Sequence, residues 1–295
     1  MRRDAAIIGS ILLALVFQAA GRPVEQRHAA SGLVLSIDRV HRTIVVSCDA
    51  IPGYMETMVM PFSVHSAAEL DNLAPGSMID FTLVVDKNFS HVENVKLRPF
   101  ESSAQEPAQA RGLSSLQQVI APDATTILRP GQSVPDFTLT DQQGSAVSLS
   151  EFKGKVVALN FIYTRCPLPD YCYRFSNYFG RIQKRFAKRT EQDLVLLTLT
   201  FDPVHDQPEV LANYAGTWKA DPRAWHFLTG READVRRVCG WFGVQAWPDE
   251  AALTHTLHTV VIDRAGKLVT NIEGNQYSAE QLGDLLEATM KGDAK

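Results

Sequence analysis

Two of the four cysteines, Cys166 and Cys172, stand close together in the segment Phe161-Ile162-Tyr163-Thr164-Arg165-Cys166-Pro167-Leu168-Pro169-Asp170-Tyr171-Cys172. A thiolate is the species that exchanges disulfides and ligates soft metals, so a neighbouring pair points to one or both chemistries. Six apart on an ideal helix, at about 100° per residue, the two side chains would point to different sides. They converge only if the chain between them is a loop. Pro167 and Pro169 favour one, because each disfavours helical geometry in the residue before it. Asp170 is then placed to cap a helix opened by Tyr171 and Cys172. Residues 156–163 form a near-continuous apolar run, the pattern of a central strand covered on both faces. The cysteines therefore fall where such a strand leaves its sheet for a helix, the crevice where open α/β sheets bind ligands. The partial positive charge of a helix start predicts a lowered thiol pKa there. The alternative is a pair of unrelated buried thiols.

A second set of soft donors lies upstream. Three of the six methionines, Met55, Met58 and Met60, follow Cys48 within a few residues. Met58 and Met60 are two apart and share one face of a strand. Thioethers are soft ligands that favour Cu(I) over hard ions, so this pair beside Cys48 reads as a copper site, with Met55 either a ligand or ordinary core. Cys239, in Val238-Cys239-Gly240-Trp241, lies on an apolar helix face and reads as core. Asp202 follows the second central strand and opens toward the same crevice as the cysteines, either supporting them or capping a helix. His255 and His258 stand three apart at the start of a later strand, where a lone histidine is ordinarily structural.

The elements that would position these groups fall into two sets. Short alternating runs at 32–37, 43–47, 60–65, 79–85 and 92–97 predict five strands, with a helical turn near 68–73 stopped by Pro75-Gly76. Five strands in so short a span suggest a closed barrel of the OB type, at 30–98. Residues 99–129 contain a polar stretch rich in Ser, Gln, Ala and Glu and read as a linker. From 130 to 292 strands and helices alternate. A hairpin at 137–149 precedes strands at 156–163, 194–200 and 226–228, with helices at 171–186, 208–217 and 232–242. A terminal hairpin at 259–272 and a helix at 279–290 complete a thioredoxin-like α/β domain. At the start, Arg2 and Arg3, an apolar run at 5–17 and the small residues Ala19, Ala20 and Gly21 predict an export signal at 1–21 or an uncleaved membrane anchor. No cysteine follows the run, so a lipid anchor is not expected. A net charge of −4, with 45% hydrophobic and 21% charged residues, fits ordinary folded domains and gives no reason to propose nucleic acid as a partner.

Residues 130–290 resemble the Sco/SenC family of thioredoxin-fold copper chaperones. The matching stretches are Pro130-Gly131, Pro135-Asp136-Phe137, Tyr163-Thr164-Arg165-Cys166-Pro167, Phe201-Asp202-Pro203, Asp206-Gln207-Pro208, Leu228-Thr229-Gly230, and His255-Thr256 eight residues ahead of Asp263. The resemblance implies copper held by Cys166, Cys172 and His255, with His255 preferred over His258 because it occupies the family position. One departure stands out: the family's cysteines are separated by three residues, these by five. Residues 31–97 are similar to the CusF-like periplasmic copper-binding domain through Ile51-Pro52-Gly53 and Met58-Val59-Met60-Pro61-Phe62. Cys48 occupies the position of that family's histidine ligand, and the family's tryptophan has no counterpart near Tyr54.

Together these resemblances imply a periplasmic or otherwise extracytoplasmic chaperone, either released or membrane-anchored, carrying one Cu(I) per domain. Its expected partners are a thiol reductant and a copper acceptor protein such as a cytochrome c oxidase subunit. The competing reading is a thiol-disulfide oxidoreductase in which Cys166 attacks and Cys172 resolves. Thioredoxin-like enzymes carry a proline before the strand facing the dithiol, and residues 253–259 contain none. A peroxiredoxin is a poorer match still, since the threonine and proline that should precede its cysteine are absent at their required spacings.

Overall fold

The computed structural model describes residues 25–86, 89–98, 127–190, 192–249 and 252–292. The expected export signal at 1–21 and residues 99–126 of the expected linker lie outside the described residues.

The first five strands are β1 (Gln26–Asp38), β2 (Thr43–Cys48), β3 (Met58–Val64), β4 (Met78–Asp86) and β5 (Phe89–Leu97). They close into a barrel in the order β1-β2-β3-β5-β4. Closure comes from a short parallel pairing of β3 with β5, all other neighbours being antiparallel. Strand periodicity sends Val34, Ile44, Val46, Phe62, Ile79, Phe81, Leu83 and Val92 into one apolar cluster. Met58 and Met60 share a face with Phe62 and Val64, so the two thioethers stand at one end of that interior row. The predicted helical turn is a single 3₁₀ turn at Ala67–Leu70, opened by a capping box between Ser66 and Glu69.

The second unit begins with a small hairpin, β6 (Thr138–Thr140) and β7 (Ala146–Ser148), and continues with β8 (Val156–Ile162), α1 (Arg174–Arg185), β9 (Leu194–Thr200), α2 (Pro208–Trp218), β10 (Trp225–Leu228) and α3 (Glu232–Trp241). After these come β11 (Ala246–Asp249), β12 (Ala252–His255), β13 (His258–Ile262), β14 (Leu268–Glu273) and α4 (Ala279–Lys291). The main sheet has the order β10-β9-β8-β13-β14. β8, β9 and β10 run parallel, while β13 is antiparallel to both β8 and β14.

Every residue of β8 and β9 is buried, as their near-continuous apolar runs predict. Alternate residues serve opposite faces. Ala158, Leu194 and Leu196 pack with Phe175, Phe179, Leu211, Leu282 and Leu285 from α1, α2 and α4. Val157, Leu159, Leu197 and Leu199 pack with Val235, Val238 and Phe242 at α3 and with Leu139 and Val147 of the β6–β7 hairpin. Each large apolar side chain buried in this way contributes about 1.5–3 kcal/mol, so covering both faces fixes these two strands as the rigid centre of the fold.

Barrel and α/β unit pack directly together. Leu33, Leu35 and Met78 of the barrel join the cluster that contains Leu282, Leu285 and Leu286 of α4. Ser47 donates a hydrogen bond to Asp284 at 2.7 Å, and Gln281 donates to the Ser47 carbonyl at 3.2 Å and to Asp49 at 3.0 Å. Gly76 adopts φ +86°, and a Cβ there would meet Thr270 Oγ1 at 2.4 Å, so both its turn and its close approach to β14 require glycine.

Candidate thiol and metal site

β8 delivers the chain to the dithiol segment at Ile162, and the neighbouring strand β9 ends beside it at Thr200. The loop that follows β9 holds the loop that follows β8. Asp206, fully buried, accepts hydrogen bonds from the Thr164 backbone N–H at 3.0 Å, the Thr164 hydroxyl at 2.5 Å and the Thr200 hydroxyl at 2.6 Å. Asp202 accepts from Arg165 at 2.6 Å and lies 2.9 Å from His205 Nδ1, while its own N–H donates to Thr200 Oγ1 at 3.0 Å. The N-cap of α2 is Gln207, so Asp202 braces the residue next to Cys166 and caps no helix.

The prolines act as their positions predict, with one difference in where the helix begins. Pro169–Tyr173 form a single π-type turn, broken at Tyr171 (φ −112°, ψ −109°), and the α-helix starts only at Arg174. Asp170 therefore does not cap it. Its carboxylate pairs with Arg174 at 2.7 Å, and its carbonyl accepts from Asn275 at 2.6 Å. The kink at Tyr171 separates Asp170 from the first α-helical turn.

Within this loop Cys166 and Cys172 meet. Cys172 is buried and Cys166 half-buried, and both pack with Ile162, Tyr163, Phe201 and Tyr214. They are unbridged thiols, and Cys166 also approaches the Leu168 carbonyl at 3.8 Å. Burial pushes the Cys172 thiol well above its ordinary pKa, with the hydrogen bond and charge of Cys166 adding to the shift. The lowered pKa expected from a helix start is thus overturned for Cys172, because the helix begins two residues later and desolvation dominates. Tyr214, hydrogen-bonded to Ser176 at 2.9 Å, is pushed up to about 12, chiefly by burial.

This asymmetry predicts the order of alkylation. In native reduced protein a small haloacetamide should modify Cys166 first, while buried Cys48, Cys172 and Cys239 react only after denaturation. Peptide mass mapping after a brief pulse reads the result, and equal labelling of Cys166 and Cys172 would contradict the described burial.

The histidines separate as well. They do not share a strand: His255 ends β12, and His258 opens β13. β12 pairs with β11 in a ribbon of its own, His255 opposite Ala246, before the chain crosses to the main sheet. The proline in Trp247-Pro248 hid that ribbon from the strand pattern. His258 is buried, with Nδ1 2.9 Å from Asn271 Oδ1, and serves the packing of β13 on β14. Thr259 of β13 pairs with Asn160 of β8, so the backbone leading from His255 enters the sheet at the end from which the Cys166 loop departs.

In the barrel, Cys48 pairs with Met58 and Val46 with Met60 across β2 and β3. Cys48 is buried, Met60 half-buried, and Met58 46% exposed, so the set runs from the interior to the barrel mouth. Burial, followed by the charge of Asp49, pushes the Cys48 thiol up to about 12. Met55 joins the same core. Tyr54, in the loop between Cys48 and Met58, stacks on His28 with ring centroids 3.9 Å apart. The Nε2 atom of His28 is buried with no hydrogen-bond partner among the described residues. Cys239 lies in the core under α3, as expected.

Two of these residues were not predicted. His28 carries no spacing signal, being a single histidine on a long strand. Asp206 was visible in Asp206-Gln207-Pro208 only as a motif, since its role depends on a threonine 42 positions away.

Comparison with known proteins places both units. Residues 126–291 match the SCO1/SenC family model, and residues 27–96 match the model of the copper binding periplasmic protein CusF. The SCO1 protein homolog of Bacillus subtilis is 32% identical over 97 residues, covering 33% of this chain and 49% of its own. Protein sco1 of Schizosaccharomyces pombe is 27% identical over 168 residues, covering 53% of this chain and 60% of its own. The chain thus spans between about half and two thirds of the length of these two relatives. The crystal structure of a putative electron transfer protein from Aquifex aeolicus superposes with a TM-score of 0.50 at 22% identity, covering 56% of this chain and 96% of that one, a likeness of fold.

Proposed function

The chain belongs to the SCO1/SenC family, and from that premise we propose that it binds Cu(I) through Cys166, Cys172 and His255 and passes it to an acceptor protein outside the cytoplasm. The observation that carries this reading is the meeting of two unbridged thiols, one half-buried and one buried, at the mouth of the central sheet. Two sulfurs form a soft donor pair suited to Cu(I), and an imidazole arriving at the same sheet end would complete a three-coordinate set. Three-coordination leaves a face open, so an incoming ligand can bind before an outgoing one leaves.

Copper is cargo here, and its loading involves protons. The Cys172 thiol, raised by burial, is protonated near neutral pH and must lose its proton to the solvent as the metal–sulfur bond forms. Affinity should therefore rise with pH. In the barrel, Cys48, Met58 and Met60 would hold a second Cu(I). Replacing both methionines by leucine keeps volume and apolarity, so the barrel should fold while Cu(I) bound to the reduced chain falls from about two to about one. Copper analysis after desalting measures it, and an undiminished ratio would remove the barrel site.

The acceptor we favour is the dinuclear copper centre of cytochrome c oxidase, with a periplasmic location and a thiol reductant that keeps Cys166 and Cys172 reduced. Among the described residues no helix is long and apolar enough to cross a membrane. The sulfur contact also suits a second reading, thiol-disulfide exchange with Cys166 attacking. One experiment separates the two: copper delivery to a purified acceptor and disulfide reductase turnover, each with wild type and His255→Ala. Chaperone action requires that the variant lose delivery. Rapid turnover by His255→Ala with unimpaired delivery would overturn it.

A further inference from the structure

The barrel carries another set of donors at the end away from Cys48. β3 begins at Met58 and finishes at Val64, so Met58 and His65 stand at opposite ends of it. The parallel pairing of β3 with β5 sets Ser63 opposite His91 and Val64 opposite Val92. The His65 N–H then donates to the Val92 carbonyl at 3.1 Å, which fixes residue 65 between His91 and Glu93.

One ligand atom from each of His65, His91 and Glu93 lies within 4.8 Å of the others. The His91 Nε2 and Glu93 Oε1 atoms are 3.0 Å apart, and the two imidazole centroids 5.8 Å apart. Donors held about 2.0–2.1 Å from a metal are separated by about 2.9 Å at a right angle and about 3.4 Å at the tetrahedral angle. The His91–Glu93 separation already matches one edge of such a coordination sphere. Glu93 uses its second oxygen, Oε2, for an ion pair with Arg27, so Oε1 can serve a metal while that pair persists. His41 joins His65 and His91 in lining one open cavity with Arg42, Ser63 and Val64, so three of the chain's eight histidines face a common space.

We propose that His65, His91 and Glu93 form a binding site for a divalent first-row transition ion, Cu(II) above the others. Two imidazoles and a carboxylate make a borderline donor set with no sulfur, which favours the divalent ion over Cu(I), and Cu(II) heads the affinity order among divalent first-row metals. The barrel then holds the two oxidation states at opposite ends, thioethers and a thiol at Met58, imidazoles and a carboxylate at His65.

The test uses the full chain as Cys48→Ser/Cys166→Ser/Cys172→Ser, which removes the candidate Cu(I)-binding thiols that could reduce Cu(II). One equivalent of Cu(II) is expected to give a square-planar-type electron paramagnetic resonance spectrum with hyperfine structure from two nitrogens. Adding His91→Ala should weaken binding by at least about 100-fold and erase the two-nitrogen pattern, and Glu93→Gln should weaken it by about 10-fold. Circular dichroism checks that each variant is folded. If the triple serine variant does not fold, Cys48→Ser oxidised at Cys166 and Cys172 provides the same comparison. A Cu(II) spectrum and affinity unchanged by His91→Ala would overturn the proposal.

Discussion

Cys172→Ser should leave the reduced chain with about one Cu(I) in place of about two, the lost equivalent being that of the α/β unit. The substitution is nearly isosteric and its site is buried among Ile162, Tyr163 and Tyr214, so the fold should survive while one of two sulfurs is replaced by a hard, poorly ionising hydroxyl. Partners that merely orient metal ligands are worth about 10–100-fold in affinity, so loss of a ligand itself should exceed about 100-fold. Cys166→Ser should match it, because the two thiols act as one donor pair. Titration with Cu(I) against a competing chelator measures both, with thermal unfolding to confirm that the variants are folded. The pH dependence adds an independent check. Wild-type affinity should rise with pH because binding displaces the proton held by Cys172, and the serine variant should lose that part of the slope. An unchanged stoichiometry would remove the Cys166/Cys172 site from the proposed function.

How much of this was legible in the sequence depended on whether a feature is local. Both central strands were plain at Val156–Ile162 and Leu194–Thr200, because a strand covered on two faces is apolar nearly throughout, with only Asn160, Thr198 and Thr200 breaking the runs. Barrel strands were visible from their alternation, although β1 and β3 proved longer at their N-terminal ends than the apolar pattern alone marked. Pro167 and Pro169 correctly signalled a loop between the cysteines. They could not signal the kink at Tyr171, which moves the helix start past Cys172, nor the burial of Cys172, which raises its pKa where a helix start would have lowered it. The β11–β12 ribbon escaped because proline interrupts it, and with it went the placement of His255 on a different strand from His258. Contacts of long sequence separation were invisible altogether. The packing of Leu33 and Met78 against α4, and the approach of His65 to His91 where β3 pairs with β5, exist only once the barrel closes.

Asp206→Ala should be the most destabilising single change near the candidate site. Its carboxylate is fully buried and answers three donors, the Thr164 N–H, the Thr164 hydroxyl and the Thr200 hydroxyl. A buried donor left without an acceptor costs about 1–3 kcal/mol, and hydrogen bonds to a charged group are the stronger kind. The two hydroxyls can turn toward other acceptors, but the backbone N–H cannot, so a loss of about 3–5 kcal/mol is expected. At about 2–4 °C per kcal/mol, that corresponds to a fall in melting temperature of roughly 6–20 °C. Asp202→Ala offers the contrast. It removes a carboxylate whose two partners, Arg165 and His205, are each 55% exposed and can turn to solvent, so its melting temperature should move less. Scanning calorimetry of both variants decides between them, and a smaller shift for Asp206→Ala than for Asp202→Ala would refute the assignment. The effect should extend to the metal, since Thr164 is two residues from Cys166 and its backbone amide is held only through Asp206 among the described contacts. Asp206→Asn retains a carbonyl oxygen for the Thr164 N–H, and should therefore recover most of the Cu(I) affinity while regaining only part of the stability.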